Sequence, residues 1–570
     1  MTEKKANGKI IPFRQETAFY MKRGAKQMEK NDLLSALCRY RQAYESDPSN
    51  VDSCLAVAEL LYQMQRYEES NRLLLLYISM YEPAPECFFG IACNYFGMHE
   101  FDYASESLET YLRLDPDGTY AYDAEDFLDM LDDDDALAEA TGISDDEDFD
   151  TLTICTRAKH LLNAGETEIA VGLLKEHLHE VPAAWRAWNL LAVAQYCAGD
   201  RKGAKETTDI VLAEDPQNRA ALCNRILLLH AEGKEEEALA LLDGMHSERE
   251  ELPETLSSIA VLQLELGRLE AAKNTLAQLY AIAPYDTNVL HQMGYCARQM
   301  KAYEEAQKCY RKLLRIDPRD TVAHYYLLAL KNAQDGTQSR PAYWSLAYRV
   351  PLPEMLRRLN HVNRLFSLPE PELRKKWEQE QSFRDLLNWV LTVQDEKTKR
   401  AILSFYFLMG DRRAEYELRS FLLRTDQPDG LKRETLGLLK RLNAKEPYMA
   451  YLGSQWVQGS VSVMLLPNDM PESYGNILRF LAERLTMNGQ EQAAKFAMQV
   501  LKRYLEQFEG RYPRISVNQQ SSFAAALELI GRQLDGQNVA EQELCQAYKV
   551  TPIRLKNALA KFEPFREEQP

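Results

Sequence analysis

The sequence has few of the residues that enzymes use for acid–base and metal chemistry, and histidine is sparse. Nine histidines occur in 570 residues and none follows His361, so the last 209 residues (570 − 361) contain none. That stretch therefore cannot use histidine as an acid–base catalyst or as a metal ligand. His177 and His179 are two residues apart on a predicted helix, where side chains point in different directions, so the pair does not favour chelation.

Motifs that bind phosphate groups or metal ions are also missing. Neither GxGxxG nor GxxxxGK[ST] occurs, and the ten cysteines include no CxxC pair. The carboxylate run from Asp132 to Asp135 lacks the alternating ligands and the glycine of an EF-hand loop. We therefore predict no catalytic residue, no metal site and no cofactor.

Long apolar runs are absent as well. No stretch approaches the roughly 18 apolar residues that a membrane span needs, and residues 1–16 lack the apolar run of a signal peptide. The net charge of −18 and the pI of about 5.2 argue against a general surface for nucleic acid or anionic membrane. With cysteines that we interpret as reduced and mostly buried, these features predict a cytoplasmic protein.

What the sequence does have is a strict period of 34 residues between positions 151 and 320. Small residues that mark the second half of each unit recur at this step, and so do the prolines that end most units. The small residues are Ala170, Ala204, Ala238, Ala272 and Ala306, and the prolines are Pro182, Pro216, Pro284 and Pro318. Twelve residues before each of these alanines stand Ala158, Ala192, Ile226, Ala260 and Gly294. Small residues in both halves allow two helices to cross closely, and a proline ends the second helix.

This stretch resembles the tetratricopeptide repeat family. The resemblance extends to Trp188 and Leu191 before Ala192, and to Gly294 ahead of Tyr310. It implies an all-α solenoid of stacked helical hairpins, whose first helices line a groove that binds partner proteins. We predict five repeats plus a closing helix over residues 151–335.

The same period begins near the N-terminus. Gly24, Ala36 and Pro48 mark one unit, and Ala92, Ala104 and Pro116 mark the third, with a looser unit between them. We predict a flexible leader over residues 1–16 and an array of three repeats with a capping helix over residues 17–132.

The period breaks at an acidic segment. Residues 119–150 contain 14 Asp or Glu and no Lys or Arg, so the remaining residues sum to −4 (−18 + 14). We predict an acidic linker over residues 133–150. It is either a charged spacer between the arrays or an acidic segment that docks a basic partner or mimics nucleic acid.

After the second array, the helical pattern continues without the 34-residue marks. We predict an irregular helical region over residues 341–470, with a β-hairpin at 448–464 where apolar and small residues alternate around Gly453 and Gly459. Trp377, Trp389, Tyr406 and Trp456 fall in this region. They are either core residues or the lining of a pocket, and no catalytic motif accompanies them.

The final segment, residues 471–570, resembles the cyclin-like helical repeat of the general transcription factor IIB family. Ala524 to Ala526 match its Ala-rich central helix, and Leu544, Val550 and Arg554 match the following pair of helices. Lys549 stands where that family has a small residue, and the segment carries 13 Lys or Arg against 12 Asp or Glu. The net charge of this segment, +1, is far smaller than the positive charge that a surface for nucleic acid carries.

The groove of the second array holds the predicted binding residues. By the resemblance, the side chains on first helices that do not pack carry recognition, with amides for a peptide backbone, tyrosines for contact area and cations for acidic groups. Each of the predicted groove residues either contacts a ligand or packs between neighbouring helices. They are Lys159, Arg186, Asn189, Tyr196, Asn224, His230, His291, Tyr295, Arg298, Tyr325 and Tyr326.

The sequence thus predicts a non-enzymatic scaffold or adaptor that binds extended or helical segments of partner proteins in this groove. The alternative is a regulator of transcription or RNA that acts through residues 471–570. An enzyme seated in residues 341–470 is a third class that no motif supports.

Overall fold

The computed structural model is all-α with one small β-hairpin, as predicted. It describes residues 17–81, 83–141, 149–245, 252–334, 343–393, 395–459, 473–474, 477–478, 481, 484–485, 490–508, 512–513, 515–537 and 539–566. The chain divides into two compact units, Met1–Leu162 with Glu166–Asp395, and Asn163–Gly165 with Glu396–Pro570. The predicted leader over residues 1–16 lies outside the described residues.

Helical hairpins begin at Thr17 and form a first array. Its helices are α1 Thr17–Met28, α2 Leu33–Ser46, α3 Val51–Gln63, α4 Tyr67–Met80, α5 Pro85–Gly97, α6 Phe101–Leu114, α7 Ala121–Leu131 and α8 Asp134–Thr141. Helix α8 lies inside the segment 133–150 for which we predicted a linker, and residues 142–148 lie outside the described residues.

The second array follows the predicted period. Its helices are α9 Phe149–Ala164, α10 Thr167–Glu180, α11 Trp185–Cys197, α12 Arg201–Glu214, α13 Arg219–Ala231, α14 Glu235–Asp243, α15 Pro253–Glu265, α16 Leu269–Ile282, α17 Thr287–Gln299, α18 Tyr303–Ile316 and α19 Thr321–Gln334. In each repeat the odd-numbered helix is the first helix and the even-numbered helix that follows it is the second. Helix α19 is the predicted closing helix.

The residues that set the 34-residue period are buried where paired helices cross. Ala158, Ala170, Ala260, Ala272 and Ala306 are all 0% exposed. At the last crossing Gly294 faces the Tyr310 ring so closely that an added Cβ would come within 2.8 Å of it. Small residues on both helices let the two backbones approach closely. In the third repeat the buried Ile226 takes the place of the small residue on the first helix, and only Ala238 on the second helix is small.

The turn between the two helices of each repeat also recurs with the 34-residue period. The turn residue has a positive φ, which costs least in glycine. In the second array it is Gly165, Gly199, Gly233, Gly267 and Lys301, and in the first array it is Asn31, Gln65 and His99. The shared backbone conformation keeps successive hairpins alike although the residue type varies.

Three helices follow in the same unit, namely α20 Leu352–Leu365, α21 Glu370–Gln379 and α22 Gln381–Val390. Trp377 and Trp389 are buried there. The second unit contains α23 Glu396–Met409, α24 Arg412–Leu422, α25 Asp429–Arg441, β1 Tyr448–Leu452, β2 Gln455–Gly459, α26 Glu491–Glu506, α27 Val517–Leu534, α28 Glu541–Ala547, α29 Pro552–Phe562 and the 3₁₀ turn Glu563–Phe565.

The predicted β-hairpin is confirmed over residues 448–459, and residues 460–464 lie outside the described residues. Strands β1 and β2 pair antiparallel with Tyr451 opposite Trp456. Gly453 and Ser454 both have positive φ, as a two-residue hairpin turn of the primed type requires.

The Ala-rich helix α27 is the centre of the last helical bundle. Ala524, Ala525 and Ala526 are fully buried, and α26 and α29 pack against the helix. Gly531 approaches the backbone of α26 near Ala493 and Ala497. The alanines and this glycine allow a closer approach than larger side chains would.

A buried carboxylate lies where the two arrays meet. Glu100, at the start of α6, is 1% exposed, and its nearest described cation is Arg157 of α9 at 3.6 Å. Burial raises the pKa of Glu100 to about 7, while the charges of Arg157 and His160 oppose the rise and that of Asp102 adds to it. Beside it, Thr153 Oγ1 donates a hydrogen bond of 2.9 Å to the carbonyl oxygen of His99.

We expect this carboxylate to make the stability of the protein pH dependent. The pKa of Glu100 lies above its unfolded value, so the folded state binds an extra proton between pH 4.5 and about 7. The free energy of unfolding should therefore fall across that window as the pH rises, by on the order of 2–3 kcal/mol from this group. Urea denaturation of the wild type and of Glu100→Gln at pH 5 and pH 8 measures the difference. Equal pH dependence in both proteins would contradict the assignment.

Candidate functional site

The first helices of the second array share one surface, which we call the inner surface. Lys159 Nζ of α9 is 3.5 Å from Glu254 Oε1 of α15, and Arg186 Nη1 of α11 is 3.7 Å from the same oxygen. Three first helices, from the first, second and fourth repeats of the array, therefore direct charged side chains to one point. All three side chains keep partial exposure, at 46%, 23% and 53% for Lys159, Arg186 and Glu254.

The charges at this point stabilise each other. Burial raises the pKa of Glu254, but Lys159 and Arg186 outweigh that effect and the net pKa is lowered. Two cations that we predicted as anchors for an acidic group of a ligand thus already hold an acidic group of the chain itself. Such a partly exposed network is adaptable, because solvent can replace either partner at low cost.

The two predicted asparagines have a different role from the cations. Asn189 Nδ2 donates to Asn218 Oδ1 at 3.1 Å, and Asn224 Nδ2 donates to the carbonyl oxygen of Asn189 at 3.0 Å. The amides thereby tie α11 to α13. Of the two interpretations that the sequence left open, packing between neighbouring repeats accounts for the contacts of Asn189 and Asn224.

Two predicted residues of the middle repeats remain half-buried on first helices. They are Tyr196 at the end of α11 and His230 at the end of α13. Nδ1 of His230 makes no hydrogen bond within the described part of the chain. A phenol and an imidazole at these helix ends supply contact area and a hydrogen-bonding group for a ligand.

The last two first helices, α17 and α19, are covered by a segment that we call the strap, residues 343–350. His291 Nε2 is 3.0 Å from the carbonyl oxygen of Ser345. Tyr326 Oη accepts a hydrogen bond from Ser345 N at 3.3 Å and donates one to the carbonyl oxygen of Arg349 at 2.6 Å. Tyr325 Oη donates to the carbonyl oxygen of Tyr343 at 3.2 Å. The groove here holds an extended segment of the chain itself through its backbone.

The prediction that His291 and Tyr326 line an open groove is wrong, because both are 0% exposed beneath the strap. Burial lowers the pKa of His291 to about 4, so the ring is neutral at neutral pH. Its Nδ1 accepts a hydrogen bond of 2.9 Å from Tyr310 Oη, which leaves the Nε2 hydrogen for Ser345.

Aromatic side chains of the strap complete the cover. The Trp344 ring lies 4.7 Å from that of Tyr326, and the Arg298 guanidinium stacks 5.1 Å above Trp344. Tyr348 donates a hydrogen bond to Asp320. Tyr295, also predicted for the groove, accepts a hydrogen bond of 3.0 Å from Gln299 and stays half-buried. Arg298 and Tyr325 therefore contact the strap, and Tyr295 lies beside it.

Sequence reasoning missed two parts of this site, Glu254 and the strap. Glu254 follows Arg186 by 68 residues, which is two periods of 34, so both occupy the same position of their repeats with opposite charges. That register was a usable signal. The strap was missed because residues 341–470 were predicted to be helical, whereas residues 343–350, with Trp344 and Tyr348, form no helix.

Among the described residues, no group of three or more His, Cys, Asp or Glu is placed to hold a metal ion. In the same residues, no helix is long and apolar enough to cross a membrane.

Comparison with known proteins identifies the repeats. Residues 155–204 and 287–320 each match a family model described as tetratricopeptide repeat. Both matched ranges lie inside the second array. The chain therefore contains tetratricopeptide repeats, as the resemblance predicted.

Two curated relatives are similar to longer parts of the chain. TPR repeat-containing protein YvcD of Bacillus subtilis (strain 168) is 29% identical over 280 residues, covering 49% of this chain and 57% of that protein. Protein CTR9 homolog of Arabidopsis thaliana is 21% identical over 336 residues, covering 58% of this chain and 28% of that protein. The chain thus spans less than two thirds of either relative.

Two solved structures are also similar to the chain. The human IFIT1 dimer with PPP-AAAA shows 16% identity and a TM-score of 0.31, covering 67% of this chain and 94% of that chain. The TPR2AB-domain:pHSP90-complex of yeast Sti1 shows 17% identity and a TM-score of 0.19, covering 47% of this chain and 98% of that chain.

Proposed function

We propose that the protein is a non-enzymatic scaffold that binds segments of partner proteins on the inner surface of its second array. The observation that carries the proposal is the convergence of Lys159 and Arg186 on Glu254, a partly exposed charge network. Tetratricopeptide repeats generally mediate interactions between proteins, which supports the same interpretation.

The chemistry of this surface favours a segment that presents an acidic group. Its carboxylate would compete with Glu254 for Lys159 and Arg186, whose cations are already positioned. Tyr196 and His230, half-buried on the neighbouring helix ends, would add contact area and a hydrogen bond. The part of the groove under the strap is occupied, so this proposal concerns α9 to α15.

A charge swap separates recognition from stability. In affinity capture from the native host, Arg186→Glu should reduce recovery of specific partners about tenfold, since it removes a cation and places a like charge beside Glu254. Arg186→Glu with Glu254→Arg restores an internal ion pair but moves the cation. We expect partner recovery to remain low in the swap, because the partner depends on where the cation stands.

The control is Lys202→Glu on the second helix α12, where the side chain is 88% exposed. It has the same change of charge outside the inner surface and should recover partners at the wild-type level. Equal loss in Lys202→Glu, or full recovery in Arg186→Glu, would contradict binding at the inner surface.

The second candidate function, regulation of transcription or RNA, rests on the C-terminal helices α28 and α29. Ile553, Arg554 and Lys556 are exposed at the start of α29, with Ile553 at 74%. Exposed cations on the second helix of such a pair suit contact with phosphate groups. Salt-dependent binding of duplex DNA or RNA by the whole chain, lost in Arg554→Glu/Lys556→Glu, would favour this function over the scaffold.

A cytoplasmic location is proposed as well. All ten cysteines are free, and burial raises the pKa of thiols such as Cys93 and Cys309, each to about 11. Unreactive reduced thiols suit a reducing compartment. Recovery of the chain outside the cytoplasm in cell fractionation would contradict this location.

A further inference from the structure

One turn of the first array touches both ends of the second array. Arg66 Nη1 donates to the carbonyl oxygen of Tyr285 at 3.3 Å and to Thr287 Oγ1 at 3.0 Å, where α17 begins. Two residues further, Glu68 Oε1 lies 3.2 Å from His160 Nε2 of α9. The first and last repeats of the second array are therefore bridged by a single turn of chain, and the arc of first helices is closed.

The contact with the last repeat continues along α2 and α18. Arg315 Nη2 lies 2.9 Å from Asp32 Oδ1, Arg319 Nη2 lies 2.6 Å from Glu45 Oε1, and Arg41 Nη1 lies 3.7 Å from Asp317 Oδ1. Arginine is the cation in each pair. We call this set of pairs the rim. For the two pairs of Arg315 and Arg319, the side chains are 41% to 52% exposed, whereas the Arg41 and Arg66 side chains at the same end are 19% and 22% exposed.

The contact with the first repeat has the opposite character. The Glu100 and Arg157 side chains are 1% and 10% exposed, and beside them His160 is 7% exposed while its partner Glu68 is 57% exposed. Separating a buried ion pair leaves uncompensated charges and is costly, whereas exposed pairs contribute little each and are screened by salt. If the two arrays separate anywhere, they separate at the rim, while the junction with α9 stays in place.

We propose that the first array is a gate, hinged at α9 and latched at the rim, that controls access to the inner surface. While the rim is formed, the closed arc prevents an extended segment from entering from the side. Breaking the ion pairs of Arg315 and Arg319 leaves the polar contacts of Arg41 and Arg66 at that end, so the closure of the arc is weakened on that side. The consequence for partners rests on the proposed function, whereas the opening of the rim does not.

Hydrogen exchange of the full chain, followed by mass spectrometry, tests the latch. In Arg315→Glu/Arg319→Glu the amides of α2 and α18 should exchange about tenfold faster at low salt, because two attractions become repulsions. Adding Glu45→Arg to the single variant Arg319→Glu reverses that pair and should return exchange to near the wild-type rate, while Asp32 is kept because its side chain accepts a hydrogen bond from Ser35 N at the start of α2. Raising the salt concentration should accelerate exchange in the wild type and slow it in the double variant, because salt screens attractions and repulsions alike.

Lys202→Glu/Lys205→Glu is the control, since it has the same change of charge on the exposed side of α12. The helices α26 and α27 in the second compact unit serve as an internal reference for folding. Unchanged exchange in the double variant, or faster exchange in Arg319→Glu that Glu45→Arg does not reverse, would overturn the latch. If Arg186→Glu lowers partner recovery but the rim variants do not change it, the rim does not control access. If Arg186→Glu also leaves partner recovery unchanged, binding at the inner surface fails.

Discussion

Replacing Tyr326 with alanine is expected to lower the free energy of unfolding by about 3–5 kcal/mol, as full truncation of a buried aromatic residue does. The Tyr326 ring is 0% exposed and packs against the rings of Tyr310, at 5.3 Å, and Trp344, at 4.7 Å. Its hydroxyl also holds the strap at Ser345 and Arg349. The truncation therefore removes both the packing and the attachment of the strap.

Tyr326→Phe separates these two contributions. It keeps the ring and removes only the hydrogen bonds to the strap, so we expect a loss of about 1–2 kcal/mol. Urea denaturation gives the global values, and hydrogen exchange of residues 343–350 reports the strap itself. Tyr122→Ala, at a side chain that is 72% exposed in the same compact unit, should change stability by less than about 0.5 kcal/mol.

Hydrogen exchange in Tyr326→Phe also shows whether the strap can leave the groove. If Tyr326→Phe accelerates exchange in the strap with little global cost, the strap is held by hydrogen bonds and can leave the groove. If the strap exchanges at the wild-type rate in Tyr326→Phe, the hydroxyl does not hold it, and the rings of Trp344 and Tyr348 do.

Gly531→Ala is expected to destabilise the second compact unit by about 3 kcal/mol or more. A Cβ at this position would overlap the carbonyl oxygen of Ala493 and lie 3.0 Å from the Ala497 Cβ. The obstacle is the backbone of α26, which cannot move aside as a flexible side chain would. Helices α26 and α27 must therefore separate, and the fully buried Ala524 to Ala526 region loses contacts with them.

Faster hydrogen exchange in both α26 and α27 of the Gly531→Ala protein is the measurement. The matched control is Gly437→Ala in α25 of the same unit, where an added Cβ meets no atom within 4 Å. That substitution should stabilise the helix by roughly 0.5–1 kcal/mol, because alanine loses less conformational freedom than glycine. Wild-type stability of Gly531→Ala would show that the two helices are not in close contact.

Some features of this protein follow from short stretches of its sequence, and the repeats are the main example. Alanine at every helix crossing is a local requirement, since residues twelve apart in one hairpin must approach closely. The 34-residue period therefore predicted the arrays and the closing helix α19. The same local logic predicted the hairpin at Tyr448–Gly459, where two residues of positive φ suffice to reverse the chain.

Only the tertiary structure decided which of the predicted groove residues are accessible. His291 and Tyr326 satisfy the positional rule for the groove as well as Arg186 does, yet the strap buries them. The position of the strap depends on packing against two helices at once, and no periodic signal reports that.

The contacts that close the arc could likewise not be predicted from the sequence. Arg66 meets Tyr285 across 219 residues, and Arg315 meets Asp32 across 283. Such meetings depend on the small rotation between neighbouring repeats summed over the whole stack, which no single repeat specifies. The sequence determined the repeating unit, and the accumulated geometry of the stack determined which charges meet at Glu254 and at the rim.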